Sequence, residues 1–483
     1  MSCSLVVDGT DFVAAGDGAT DDTSVFTDAF NYAISLGVTS PAKIWMPEGA
    51  FKITGPLPVL PGRVTVAGVN PLATKILQMG DFTPLSVKGN GSRAGWTVFT
   101  DFSVITAGAT SAYTVALDWC QNVVFDRVHL YTPFNGVSIR QAGNITFQNS
   151  MIDTISGRFG VYAYGTNLSR NGQNDQIDLV MFYNTVVQGN YDGNGTPNSS
   201  TMVCLDGRVQ SIQCDGLKLL SGGKGMIAVN TPNVPADLIS RFIVGSGLEI
   251  ESMYINCLDL EYCNDVNLAW LFAARSYGDG IYLGPNVGSF NILSGSINTH
   301  FGHGVNINNA GSVNLGNARI YNNSLVGYSA KSSVYVSGST RLRGAGGTWG
   351  KNLTIPSYSE AQKFGLEMAP TYNGLVTLDG VDLRGNSVGS VYDSKLTQFG
   401  SSIQNCPGYN PIGASLVSVG ASPFVYTAGL SAESINIYGG SGVVCATDGV
   451  AISNSSPTSF VLPPRKSVAI SYATTPTIST LRS

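Results

Sequence analysis

The carboxylates of one segment are the side chains best suited to chemistry. In GLEIESMYINCLDLEYCND, four acidic residues alternate with leucine and isoleucine, and they are Glu249, Glu251, Asp259 and Glu261. Because alternate side chains of a strand point to opposite faces, all four carboxylates are expected on the outside. Glycoside hydrolysis needs two carboxyl groups flanking the scissile bond, and close like charges raise a pKa, as a general acid requires. The pattern predicts a catalytic pair, with a solvated polar face or a calcium-like site as the alternative.

A second set of candidate residues follows about one repeat further on. Asp279 lies in GDGIYL, and His303 lies 24 positions later in GHGVNI. His300 and His303 are two of only three histidines in the chain, which favours a role in catalysis for His303 and in substrate binding for His300. The alternative for His303 is a corner histidine hydrogen-bonded to the backbone.

Arginines and aromatic residues near these carboxylates are candidates for binding a substrate. A lyase would need an arginine base, and Arg275 and Arg319 are candidates, with solvated surface positions as the alternative. Tyr277 and Tyr282 have side chains that can stack on sugar rings. Trp270, within the apolar run LAWLF, is expected in the core.

Composition limits the class of protein. The 483 residues contain 58 glycines, only 12% charged residues and a net charge of −5, which argues against nucleic-acid binding. The longest apolar stretch is too short for a membrane-spanning helix, and the first ten residues, MSCSLVVDGT, lack the pattern of a secretory signal. None of the eight cysteines forms a CxxC pair, so no metal site or cofactor is predicted, and buried free thiols are expected.

A repeat of 22 to 24 residues organises most of the chain. NVVFDRVHL begins at Asn122 and NITFQNSMI at Asn144, and comparable glycines recur at Gly280 and Gly304. Insertions at 169–176 and 189–200 interrupt the count. Three short strands of this length close into one coil, and glycine or asparagine supplies the left-handed corners. The pattern predicts an all-β, right-handed parallel β-helix, with a sandwich or propeller as the alternative.

The two ends of the chain differ from these repeats. SVFTDAFNYAISLG has helical apolar spacing, with Asp21 and Asp22 before it and Gly37 as its stop. From about residue 405, a Pro-Gly linker leads into hairpin-linked strands. We therefore predict an N-terminal segment with a capping helix (1–110), the β-helix (111–404) and a small C-terminal β domain (405–483).

The N-terminal segment also resembles a known family. GDGATDDTSVFTDAFNYA followed by KIWMPEGAFKITGPL is similar to the start of pectate-lyase-like β-helix proteins, with Phe51 where tyrosine is usual. The resemblance implies a helix that caps the open end of the coil. It also implies that the motif residues are structural rather than catalytic, and they are Gly16, Asp17, Asp21, Asp22 and Thr23.

A partial resemblance to polygalacturonase-type glycosidases covers Asp279 and His303. Their motifs place an Asp-Asp pair and Gly-His-Gly about one coil apart. Here Gly278-Asp279 supplies a single aspartate, the Asn-Thr-Asp motif is absent, and Arg319-Ile320-Tyr321 stands where Arg-Ile-Lys would be sought. These departures weaken the assignment of Asp279 and His303 to that mechanism.

The family resemblance also implies a class of function. The C-terminal stretch looks like a β domain that follows such helices in phage proteins, which favours a bacteriophage tailspike depolymerase. Such a protein would be a homotrimer on the virion tail or extracellular, would need no cofactor, and would hydrolyse bacterial capsule or lipopolysaccharide. The alternatives are a lyase acting on uronic-acid polymers and a glycan-binding spike without activity.

Overall fold

The computed structural model describes residues 3–37, 40–90, 92–166, 169–170, 173–189, 200–235, 239, 241–325, 330–351, 362–394, 397–398, 400–409 and 413–482. Of the predicted insertion at 189–200, only the first and last residues belong to this part of the chain. The side chain of Cys3 lies outside it. The chain divides into two compact units, Met1–Phe290 and Asn291–Ser483. Each unit is described by itself.

β-Strands dominate the secondary structure of the described residues, which contain a single α-helix, α1 (Thr23–Gly37). The strands of the N-terminal segment are β1 (Cys3–Val7), β2 (Thr10–Ala14), β3 (Asp17–Asp21), β4 (Ala42–Trp45), β5 (Gly49–Ile53), β6 (Val64–Ala67), β7 (Thr74–Met79), β8 (Leu85–Lys88) and β9 (Ala94–Ala107).

The strands of the central coils are β10 (Tyr113–Asp118), β11 (Cys120–Tyr131), β12 (Asn135–Arg140), β13 (Gly143–Gln148), β14 (Met151–Ile155), β15 (Phe159–Gly165), β16 (Ser169–Arg170), β17 (Gln173–Asn174), β18 (Ile177–Tyr183), β19 (Val186–Gly189), β20 (Thr201–Gly207), β21 (Val209–Leu220), β22 (Lys224–Val229), β23 (Phe242–Met253), β24 (Leu258–Ser276) and β25 (Ile281–Asn298).

The remaining strands are β26 (Val305–Asn308), β27 (Ser312–Asn314), β28 (Asn317–Tyr321), β29 (Val334–Ser337), β30 (Arg341–Ala345), β31 (Thr348–Gly350), β32 (Phe364–Met368), β33 (Leu375–Asp379), β34 (Gly389–Tyr392), β35 (Ser402–Gln404), β36 (Gly413–Val417), β37 (Phe424–Thr427), β38 (Glu433–Tyr438), β39 (Val444–Thr447), β40 (Val450–Ser453), β41 (Thr458–Leu462), β42 (Ser467–Ser471) and β43 (Thr477–Arg482).

Parallel pairing between successive coils forms the right-handed parallel β-helix that the sequence predicts. In one sheet, Val115 pairs with Val137 and Val137 with Val161, so the coil length is 22 to 24 residues. We define the first sheet as β10, β12, β15, β20, β22 and the start of β24. The third sheet contains β14, β19 and the ends of β21, β23 and β24.

Stacked side chains fill the core of the first unit. Phe99, Phe125, Phe147 and Phe182 are buried and form one continuous stack, with ring centroids 5.1, 4.8 and 5.2 Å apart. Each ring comes from the equivalent position of the next coil. Seven cysteines are buried free thiols, which confirms their predicted role as small apolar residues for the described side chains.

Asparagines form the predicted left-handed corners. Asn122 and Asn144 have φ values of 54° and 55°, and the Asn144 side-chain amide donates to Asn122 Oδ1 at 3.0 Å. A short polar side chain lowers the cost of this conformation, and the amide ladder ties the corner of one coil to the next.

The acidic motif of the N-terminal segment is structural, as predicted. Asp22 is buried, and its carboxylate accepts from the backbone N–H groups of Ala15 and Gly16 at 2.7 and 3.2 Å. Asp21 accepts from Thr23 N at 3.0 Å, at the start of α1. The helix buries its apolar face, where Phe26 packs edge-on against Phe51 at 5.4 Å.

Two four-stranded antiparallel sheets lie at the C-terminal end, within the second unit. Their orders are β36–β43–β38–β41 and β37–β42–β39–β40. Ile435, Ile437, Val468, Ile470 and Ile478 belong to the apolar core that they share. No helix among the described residues has the length and hydropathy of a membrane span.

The phenylalanine stack makes a stability prediction. Phe147→Ala should lower the free energy of unfolding by about 3–5 kcal/mol, because it leaves a cavity between two rings. The matched control is Leu72→Ala, at an exposed position of the same unit, where the change should stay within about 0.5 kcal/mol. Urea unfolding followed by circular dichroism measures both. Equal effects of the two substitutions would contradict the stack as the source of stability.

Candidate functional site

The first sheet places Asp259 and Glu261 side by side at the start of β24. Leu258 and Leu260 pair with Met226 and Ala228 of β22, and all four side chains are buried. Asp259 and Glu261 therefore point to the opposite, outer face of the same strand. Their Cα atoms are two residues, or about 6.6 Å, apart.

Asp259 is a covered carboxylate with a cation of its own. It is only 6% exposed, and Lys224 Nζ lies 2.6 Å from its Oδ2. The Asn256 side-chain amide lies 3.3 Å from the same oxygen. A carboxylate this far removed from water needs such a partner, and Lys224 supplies the compensating charge.

Glu261 has a different environment. Within the described part of the chain, no ammonium or guanidinium group lies within ion-pair distance of this half-buried carboxyl. Burial raises its pKa above the usual value, the charge of Asp259 raises it further, and Lys224 opposes both effects. A Cβ atom at Gly284 would lie 2.6 Å from Glu261 Oε2, so glycine on the next coil makes room for the carboxyl.

The two neighbouring carboxyl groups thus differ in the way that acid–base catalysis requires. One is compensated by an ammonium group, and the other has a raised pKa without a cation of its own. Pairs of titratable groups whose environments separate their pKa values are typical of acid and base roles.

Asp206 is a third carboxylate on this sheet, and the sequence analysis missed it. Asp206 pairs with Val229, one residue beyond Ala228, whose partner on the next strand is Leu260. Asp206 and Glu261 therefore share a column two strands apart, or about 9.6 Å. Asp206 follows an uninterrupted apolar run in TMVCLDG, so neither its outward direction nor its partners can be read from the sequence.

Asp206 is fully engaged in hydrogen bonds. It accepts from Tyr162 Oη at 3.1 Å, from Thr231 N at 2.8 Å and from the Thr231 hydroxyl. Burial and the Asp206 carboxylate raise the pKa of Tyr162. These contacts suit a positioning role rather than proton transfer.

The backbone N–H of Asp279 and the carboxylate of Asp259 both contact the side chain of Asn256. Asn256 Oδ1 accepts from Asp279 N at 2.9 Å, while the amide nitrogen of the same side chain faces Asp259. Tyr282 is half-buried between the inward residues Ile281 and Leu283. The structure therefore brings Asp279 close to Asp259, with Tyr282 a few residues further along the chain.

Glu249 and Glu251 lie on a different sheet from the other two carboxylates. In the third sheet Glu249 pairs with Lys218 and Phe272, and Glu251 pairs with Leu220 and Ala274. The turn at 254–257 separates them from β24. The predicted cluster of four is thus two pairs on two faces.

Both glutamates of the third sheet have basic partners. Lys218 Nζ lies 2.8 Å from Glu249 Oε2, and the Arg275 guanidinium lies 3.1 Å from Glu251 Oε1. Tyr277 is exposed near Arg275. Trp270, expected in the core, is instead 41% exposed, because it precedes Leu271 at a corner where the alternation changes.

The remaining predicted residues lie in the second unit. His303 Nδ1 accepts from Ser332 N at 3.0 Å, and its ring packs on Tyr335 at 4.8 Å. Burial, helped by Lys331 and Lys363, lowers the pKa of His303 to about 3. Backbone bonding of a corner histidine was the alternative reading of the sequence, and it describes this neutral, buried ring.

His300 and Arg319 also differ from a simple binding pattern. His300 is fully buried, so it offers no surface to a glycan. Arg319 stacks over the Tyr321 ring at 5.2 Å. Among the described residues, no group of three or more potential ligands is arranged to hold a metal ion.

Comparison with known proteins supports the fold. No family model and no curated protein match the chain. Tailspike protein 3 of bacteriophage CBA120 is similar, with 15% identity and a TM-score of 0.57 over 85% of this chain and 63% of that one. The A-module of the Azotobacter vinelandii mannuronan C-5 epimerase AlgE4 has 14% identity and a TM-score of 0.52, over 82% and 98%.

The chain has the pectate-lyase-like β-helix fold. At these identities the likeness extends to the fold alone.

The ion pair of Asp259 makes a stability prediction with an internal control. Lys224→Met should lower the free energy of unfolding by about 2 kcal/mol, between the values for exposed and for buried pairs, because Asp259 loses its compensating charge. Lys218→Met, at the more exposed pair with Glu249, should cost at most about 1 kcal/mol.

Urea unfolding of both variants checks this order. Adding Asp259→Asn to Lys224→Met should restore most of the loss, because no uncompensated charge then remains. A larger loss for Lys218→Met would show that burial does not distinguish the two pairs.

Proposed function

We propose that this protein is a tailspike-like glycoside hydrolase that binds and cleaves a bacterial surface polysaccharide. The observation that carries the proposal is the pair of adjacent outward carboxyls, Asp259 with an ammonium partner and Glu261 with a raised pKa. Capsule and lipopolysaccharide are the proposed substrates, as for the family that the N-terminal segment resembles.

Glu261 is the proposed general acid. Its raised pKa keeps the proton on the carboxyl closer to neutral pH, where it can be given to the leaving glycosidic oxygen as the C–O bond breaks. Gly284 leaves space over this carboxyl.

Asp259 is the proposed general base. Its carboxylate takes a proton from the attacking water, whose oxygen forms the new bond to the anomeric carbon. Asn256 and Lys224 contact this carboxylate, and Asp279 and Tyr282 are the proposed sugar-binding residues beside it. Asp206 is the proposed positioning residue for Tyr162, whose hydroxyl donates a hydrogen bond to the Asp206 carboxylate.

One observation supports hydrolysis over elimination. A lyase base would be an arginine, and of the candidate arginines Arg275 is ion-paired with Glu251 and Arg319 is stacked on Tyr321. The similarity to a phage tailspike fits attachment to a virion tail and a homotrimer, which remain part of the proposal.

Turnover on bacterial polysaccharides tests the proposal. Capsules, lipopolysaccharides and pectin-type polymers are incubated with the protein, and reducing ends are measured together with the ultraviolet absorbance of unsaturated uronides. We expect reducing ends without that absorbance. Glu261→Gln and Asp259→Asn should each lower kcat by about 10²- to 10⁴-fold.

The matched control is Glu48→Gln, which changes an exposed carboxylate of the N-terminal segment and should leave kcat within about twofold. Reducing ends with absorbance would replace hydrolysis by elimination. Binding without cleavage across the panel would replace both enzymes by an adhesin.

A further inference from the structure

The third sheet carries an exposed strip of aromatic rings at the end of β24. Trp270 and Phe272 are nearly parallel, with centroids 6.1 Å apart and planes at 11°. Tyr254 and Tyr277, from successive coils, lie 5.6 Å apart at the far end. Trp270, Tyr254 and Tyr277 are 41%, 45% and 49% exposed. We call these four residues the aromatic strip.

Charged side chains lie beside the rings of the strip. Glu249 pairs with Phe272 across the sheet and is level with that ring, whereas Glu251 pairs with Ala274 and lies between the two ring pairs. Lys218 and Arg275 complete two ion pairs there. Ala274 is small and buried, so the floor between the rings is low.

The conformation of Arg275 brings its guanidinium to this position. Arg275 has φ of 56°, in the left-handed region that costs a residue with a side chain about 1–2 kcal/mol. The corners of the two preceding coils have serine there, at Ser221 and Ser252. At this corner a long cationic side chain replaces serine, and it reaches Glu251 of the preceding coil.

The composition of the strip matches a sugar better than a protein partner. Aromatic rings stack on the apolar C–H faces of sugars, and carboxylates and guanidinium groups hydrogen-bond to sugar hydroxyls. The core of a protein interface is depleted in charged residues, whereas two ion pairs, Lys218–Glu249 and Arg275–Glu251, lie beside the rings of this strip. From Phe272 to Tyr277 the chain extends up to about 16 Å, which exceeds one sugar ring.

We propose that the aromatic strip is a glycan-binding site separate from the proposed catalytic pair, and that it binds uncharged, hydroxyl-rich sugar residues. Two cations and two anions cancel beside its rings, so the strip offers no net attraction to an acidic sugar. An ion-paired carboxylate accepts hydrogen bonds rather than donating a proton, so the site holds polymer without cleaving it.

Affinity electrophoresis of the Glu261→Gln protein tests this site without cleavage. The probes are three uncharged polymers, dextran, laminarin and mannan, and one anionic polymer, polygalacturonate. We expect retardation by at least one uncharged polymer. Trp270→Ala and Tyr277→Ala should each weaken it about 3- to 10-fold, and Trp270→Phe should keep most of it because a ring remains.

The control is Trp96→Phe, at an exposed tryptophan of β9 outside the strip, which should leave retardation unchanged. Retardation that survives both alanine substitutions, or retardation by polygalacturonate alone, would overturn the inference. So would the absence of retardation by every uncharged polymer.

Sedimentation of the same variants tests the other occupant, a second copy of the chain. If Trp270→Ala lowers the assembly mass and leaves glycan binding intact, the strip is an interface and the inference fails. This binding test does not depend on turnover. Retardation that depends on the strip can be observed even if the protein cleaves no polysaccharide, and it can be absent even if the protein cleaves one.

Discussion

The in-register stacking of one coil on the next is the constraint on which the rest of this structure depends. Each strand pairs with the strand a coil earlier, and inward side chains repeat at equivalent positions, as in the stack from Phe99 to Phe182. The same register sets the outer face. Leu258 and Leu260 lie in the same columns as Met226 and Ala228, and this forces Asp259 and Glu261 outward. A slip of one residue would bury both carboxylates.

Because the chain has few charged residues, the environment of each outward carboxylate depends on a small number of neighbours. The chain has 12% charged residues, so individual neighbours dominate each environment. Asp259 has Lys224 at 2.6 Å, whereas Glu261 has burial and the charge of Asp259. On the third sheet, Glu249 and Glu251 each form an ion pair with a basic side chain, and exposed aromatic rings lie beside them. These differences are the basis of the two proposals, proton transfer on the first sheet and sugar binding on the third.

Local patterns predicted what depends on local sequence. The spacing from Asn122 to Asn144 revealed the coil length, and alternation in LEIE and LDLE showed which side chains face outward. Alternation does not show which sheet a strand joins, so the turn at 254–257 divided a predicted cluster of four. Contacts between coils were also hidden, because Lys224 and Asp259 are 35 positions apart. Trp270 was misassigned because an apolar run at a corner resembles one in a strand.

Measuring the pKa of the Glu261 carboxyl tests the proposal that this residue is the general acid. Difference infrared spectroscopy between the wild type and Glu261→Gln isolates this one carboxyl, and the titration is repeated in Asp259→Asn. We expect the pKa of Glu261 to lie above the usual glutamic acid value of about 4.3. That pKa should fall in Asp259→Asn, because a like charge is removed. A pKa at or below the usual value in the wild type would contradict the assignment of Glu261 as the acid.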